Sequence, residues 1–141
     1  MPSEIDALIP HRNPFQFVDE VTEANEKRIV GARTFGADEP FFAGHFPEYP
    51  VVPGVILVES MAQCGGAGVR KAEINKDGLF FLATVGNVKF RRQVRPGDTV
   101  TMEIENLRIT PKMIKQRGVA KVGDEIAAEA EWMCLVADAP T

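Results

Sequence analysis

The sequence predicts an α+β fold in which a curved antiparallel sheet wraps one long central helix, at about residues 54-71, and two observations predict it. The first is the segment Val55 to Val69, in which Val55, Ile56, Leu57, Val58, Met61 and Ala62 cover nearly the whole circumference of a helix. A helix apolar all round must be surrounded by protein. The second is a series of five segments rich in β-branched and aromatic residues, most of them separated by turn chemistry. At 141 residues, 45% hydrophobic and 26% charged, the chain has the composition of one domain spanning 1–141, with no internal repeat, low-complexity stretch or linker.

Lys27 to Phe35 is the first strand. The helix starts where Pro53 precedes Gly54, because proline has no amide hydrogen to leave unpaired there. Arg70 and Lys71 suit its C-terminal end. The apolar segment is too short to span a bilayer and carries Glu59 and Gln63, so it reads as a buried helix of a soluble fold. Cys64, Gly65 and Gly66 are small enough to let a neighbouring backbone approach. Four strands follow, Leu79 to Phe90, Thr99 to Thr110, Met113 to Val122 and Glu125 to Val136. The connections Pro96-Gly97-Asp98, Pro111-Lys112 and Gly123-Asp124 are so short that they join only antiparallel neighbours, and the last three strands form a meander. Val100, Met102 and Ile104 alternate with Thr99, Thr101 and Glu103, as in a sheet with one buried face. The tail from Ala137 to Thr141 is expected to fray.

A net charge of −4 and a pI near 5.2 argue against a nucleic-acid binder. Cys64 and Cys134 belong to no CxxC or Cys/His cluster, which fits a reduced protein. The N-terminal Met1-Pro2-Ser3-Glu4-Ile5-Asp6 is acidic and lacks an apolar core, so it does not read as a signal peptide, and a cytoplasmic location is expected.

The chemistry is concentrated between Pro40 and Glu59. One of only two histidines, His45, sits in the Gly/Pro-rich run Phe42-Ala43-Gly44-His45-Phe46-Pro47, and Glu59 follows fourteen residues later inside an apolar helix. An imidazole and a carboxyl group in an apolar setting are the pair that acid–base chemistry needs. The other histidine, His11, reads as structural, part of a packed Pro-His-Arg turn. By strand alternation Lys89, Arg91 and Arg95 share one face, leaving Arg92 on the more apolar side or in a structural ion pair.

These residues resemble the β-hydroxyacyl-[acyl-carrier-protein] dehydratases of type II fatty acid synthesis. The resemblance rests on four blocks in order: Ile9-Pro10-His11-Arg12-Asn13-Pro14-Phe15 with Val18-Asp19; Glu39-Pro40-Phe41-Phe42 with Gly44-His45-Phe46-Pro47; Pro50-Val51-Val52-Pro53-Gly54-Val55 with Glu59-Ser60-Met61-Ala62-Gln63; and Val88-Lys89-Phe90-Arg91-Arg92 with Pro96-Gly97-Asp98. The chain departs from the usual pattern at Asn13, at Glu48-Tyr49 and at Val51-Val52, positions that bear on substrate preference more than on chemistry.

The resemblance implies a hot-dog fold and removal of water from a (3R)-3-hydroxyacyl thioester to give the trans-2-enoyl thioester. His45 matches the family's base and Glu59 its acidic partner, which protonates or binds the leaving hydroxyl. The Gly54 amide, with that of Val55, lies at the helix N-terminus, where unpaired N–H groups favour an enolate oxygen. Gln63, one turn beyond Glu59, can orient its carboxyl group. An apolar tunnel along the helix, lined by Phe41, Ile56 and Phe90, takes the acyl chain. No metal or redox cofactor is implied, the substrate being carried on the phosphopantetheine arm of acyl carrier protein. Lys89, Arg91 and Arg95 are the candidate docking charges for that acidic partner. The family also implies a homodimer in which one sheet continues into the next and His and Glu of one site come from different chains, with three dimers forming a hexamer.

Two rivals share fold or ligand. A hot-dog thioesterase would hydrolyse the same thioester but generally lacks His45 in its Gly-His-Phe-Pro setting, and a non-catalytic acyl-binding module has no need of both His45 and Glu59. A dehydratase that also isomerises the double bond is a third reading, and Glu rather than Asp at position 59 leans away from it.

Overall fold

A computed structural model describes residues 3–76 and 78–138. A short helix α1 (Glu4–Leu8) is followed by strands β1 (Glu20–Ala24) and β2 (Arg28–Thr34), a 3-10 turn at Pro40–Ala43, and the long helix α2 (Gly54–Lys71). Strands β3 (Gly78–Phe90), β4 (Thr99–Thr110), β5 (Met113–Val122) and β6 (Glu125–Asp138) complete the chain. The six strands form one antiparallel sheet in the order β1-β2-β4-β5-β6-β3, with β4, β5 and β6 as the expected meander.

The sheet curls over α2 and packs on it at very short range. A Cβ at Gly68 would stand 2.4 Å from Ile29 Cγ2, and one at Gly65 would stand 2.1 Å from Gln116 Oε1. Only glycine lets these faces meet. Met61, Cys64, Ala67 and Val69 of α2 are fully enclosed against Ile29, Met102, Ile104 and Trp132 of the sheet. One buried polar group at this interface is fully engaged: Trp132 Nε1 donates to Gln116 Oε1 at 2.9 Å, while Gln116 Nε2 donates to the Gly65 carbonyl and to Asn106 Oδ1. Burial of such an amide is tolerated because none of its hydrogen bonds is lost.

Five features depart from the sequence reading. Helix α1, held by a capping box between Ser3 and Asp6, and the short strand β1 were not expected. Ala137 and Asp138, placed in the frayed tail, instead extend β6 opposite Leu79 and Gly78, and residues 139–141 lie outside the described part. The first turn of α2 is not covered, since Val55 is 72% exposed. Strand β3 is an outer strand bonded only to β6, and it leaves Phe81, Leu82, Val85, Val88 and Phe90 exposed.

Candidate active site

His45 lies in the loop between the 3-10 turn and α2, half-buried. Its ring packs edge-on to Phe46 at 4.7 Å, with Phe46 itself at φ 54°. His45 Nδ1 stands 3.1 Å from the Val51 carbonyl oxygen. A carbonyl only accepts, so Nδ1 carries a proton, and in the neutral ring the lone pair then lies on Nε2, where a base needs it. The loop is anchored beyond Val51, where the Val52 amide donates to the Val94 carbonyl at 2.8 Å.

Helix α2 begins at Gly54 with Pro53 as its N-cap and no side-chain cap. The Pro53 carbonyl accepts from Ile56 and Leu57, while the amides of Gly54 and Val55 have no acceptor among the described residues. Two unpaired N–H groups at the positive end of an eighteen-residue helix are suited to a developing oxyanion. A Cβ on Gly54 would fall 2.7 Å from Phe90 Cε1, so the absence of a side chain there is what lets the Phe90 ring lie over the helix start.

Glu59 faces a cavity of ≈ 200 Å³ that runs along α2 past Gln63 and Gly66 to Arg70 and is walled by Pro10, Phe80 and Cys134. Its side chain is 23% exposed. Gln63 holds it: Nε2 donates to Glu59 Oε2 at 2.8 Å and to the Phe15 carbonyl at 3.0 Å, while Oε1 accepts from the Phe17 amide at 2.7 Å. The Ser60 hydroxyl donates to the Phe17 carbonyl, so segment 15–17 is fastened to the helix face that carries Glu59.

The same cavity contains His11, whose Nε2 is 3.8 Å from Glu59 Oε2. Burial lowers the His11 pKa, the charge of Glu59 opposes that shift and Arg12 adds to it. His11 is thus no mere turn residue, and its placement corrects the sequence reading. Burial pushes the Cys64 thiol up to about 12, and burial with the charge of Glu59 pushes Cys134 up to about 11, so neither is a ready nucleophile near neutral pH.

The remaining candidates are scattered. Phe41 packs among Phe17, Phe35 and Phe42, Ile56 lies half-buried against the core, and Phe90, itself 55% exposed, covers Gly54; none of the three lines the Glu59 cavity. The predicted alternation of Lys89, Arg91 and Arg95 breaks down because β3 ends at Phe90. Lys89 is exposed, Arg91 Nε donates to Glu129 at 2.7 Å, and the Arg95 guanidinium lies 3.9 Å from the Tyr49 ring centroid. Arg92, read from sequence as lying on the apolar side or in an ion pair, takes the second placement, with Glu125 and Asp98.

Within one chain, the described residues show no contact between His45 and Glu59, and the Glu59 cavity is not lined by His45.

Three comparisons with known proteins bear on this arrangement. A family model described as a FabA-like domain matches residues 9–131. A "3-hydroxyacyl-[acyl-carrier-protein] dehydratase FabZ" of Geobacillus thermodenitrificans is 46% identical over 97% of this chain and 95% of its own length. Another of that name from Bacillus cereus is 45% identical over 96% of this chain and 94% of its own. Among solved structures, the dehydratase heterocomplex ApeI:P of Xenorhabdus doucetiae superposes with a TM-score of 0.83 at 18% identity, covering 98% of this chain and 93% of that one. A hypothetical thioesterase of Streptococcus pneumoniae, solved with coenzyme A, superposes with a TM-score of 0.65 at 10% identity, covering 86% and 88%. At such identities the structures establish the hot-dog fold alone. The sequence match is of another order, and by it the chain belongs to the FabA-like family, alongside the FabZ dehydratases.

Proposed function

We propose that this protein removes water from (3R)-3-hydroxyacyl-[acyl-carrier-protein] to give the trans-2-enoyl thioester in fatty acid biosynthesis. The observation that carries this reading is the 46% identity with a FabZ dehydratase over nearly the full length of both chains. In the mechanism, the thioester carbonyl sits at the Gly54 and Val55 amides, which stabilise the enolate oxygen as His45 Nε2 takes the proton from the adjacent carbon. The bond to the 3-hydroxyl then breaks as Glu59 supplies its proton, and water leaves. His45 and Glu59 make the two proton transfers, and the backbone amides hold the enolate oxygen between them. The acyl chain follows the cavity along α2 over Gly66, where a Cβ would come within 3.1 Å of Phe80.

The catalytic unit is a homodimer. Supporting this are the separation of His45 from the Glu59 cavity in one chain, the uncovered Val55, and the outer strand β3 with its exposed apolar side chains, a row that invites a second sheet. The dimer brings the His45 loop of one protomer to the Glu59 cavity of the other, and three dimers assemble as a hexamer. Acyl carrier protein docks through Lys89 and the neighbouring Arg91 and Arg95, whose charges stand out against a net charge of −4. No described helix is long and apolar enough to cross a membrane, and the cytoplasm is the proposed location.

Intact-mass analysis of a 3-hydroxyacyl carrier protein incubated with the protein tests the reading. Loss of one water, absent with His45→Ala, is the expected result. Loss of the whole acyl group would make the protein a thioesterase, and an unchanged mass would make it a binding module.

A further inference from the structure

The acid of this reaction has a neighbour that the mechanism leaves idle. His11 Nε2 lies 3.8 Å from Glu59 Oε2, and His11 Nδ1 is buried without a hydrogen-bond partner among the described residues. The same Oε2 accepts from Gln63, whose amide cannot turn over, because its Oε1 is held by the Phe17 N–H and its Nε2 by the Phe15 carbonyl. Oε2 is therefore committed to the protein side. Oε1 has no hydrogen bond or ion pair among the described residues and is the oxygen left for substrate.

We infer that His11 is a positioning residue for Glu59: its imidazole closes the flank of Oε2 that Gln63 leaves open, holding the carboxyl group so that Oε1 meets the leaving hydroxyl. The inference rests on the dehydratase reading of Glu59. The charge of His11 sets the field at Oε2. Around it stand Glu59, Gln63 and Arg70 from α2, Arg12 from its own segment, and Cys134 from β6, while β3 contributes apolar Phe81 and Leu82. Near neutral pH burial keeps His11 uncharged, and it supports Glu59 without an opposing charge. On acidification an imidazolium forms and places a positive charge beside Oε2, which an uncharged residue at position 11 does not do.

The test compares His11→Phe and His11→Gln with the unaltered protein on a 3-hydroxyacyl carrier protein, as kcat and KM from about pH 5 to 8. His11→Phe should lower kcat by about tenfold to a hundredfold with KM within about twofold, since a misplaced acid affects the transition state more than binding. His11→Gln, polar and uncharged at every pH, should recover most of that loss and alter the acid limb of kcat, since no charge can then appear beside Oε2. Two variants with the unaltered protein's kcat and acid limb would overturn the inference, as would a loss confined to KM or a glutamine no better than phenylalanine. An unaltered protein that releases no water would instead sink the dehydratase reading beneath it.

Discussion

The Gln63 amide makes three hydrogen bonds in a setting only 3% exposed, one to the carboxyl group of Glu59 and two to segment 15–17, and together they tie the two. Replacing it by leucine keeps the volume but strands the Phe17 N–H and the Phe15 carbonyl. Gln63→Leu should cost about 2 kcal/mol, read as a Tm lowered by several degrees in thermal unfolding, together with a fall in kcat. His11 adds a pH dependence to stability. Its proton is bound less readily in the folded chain than in the unfolded one, whose value is near 6.5, so the unfolded chain takes up more protons as the pH falls below that point. Stability is then full above about pH 6.5 and declines below it, and urea unfolding at stepped pH should show this component in the unaltered protein and not in His11→Gln. The Glu59–Gln63 pair is legible in sequence because helical periodicity puts residues four apart on one face. The His11–Glu59 contact is not, because it joins positions forty-eight apart that only the tertiary fold brings together.

Among the elements, α2 and β2 to β6 are read from sequence to within about two residues, since their apolar runs are long and bounded by proline, glycine and aspartate. Two short elements escape. Helix α1 has only five residues, too few for periodicity, though Ser3 and Asp6 carry the capping signal that could have revealed it. Strand β1 has one buried residue, Val21, among charged neighbours, so it shows neither alternation nor β-branched density. Strand β3 is legible as a strand but not as an outer one, because strand order is a property of the whole sheet. Its exposed apolar row carries the dimer proposal. Val85→Asp should place an unpaired charge in that row and give a single-chain species by sedimentation, with the far-UV spectrum kept and dehydration lost. A fully active single chain would contradict the dimer.

On the scale of the whole molecule, fold and function separate. The sheet-wrapped helix is common to a dehydratase complex and a hypothetical thioesterase among the solved structures, so the architecture follows from apolar pattern while the reaction depends on a few side chains. His45, Glu59 and Gly54 are visible as anomalies in that pattern: a histidine among glycine and proline, a carboxyl group in an apolar helix, and a helix start without a side-chain cap. The lining of the Glu59 cavity is not visible in this way, because it depends on which strand reaches which turn of α2, and Phe80 rather than Phe90 stands beside Gly66.

The central claim is that base and acid of each site come from different chains. Co-expressing His45→Ala with Glu59→Gln and assaying the mixed protein tests it most directly. Each variant alone should be inactive, and random pairing of the two should restore about a quarter of the sites, since half the dimers are mixed and each mixed dimer holds one complete site. Activity no higher than that of the single variants, with mixed dimers shown to be present by mass, would contradict the account.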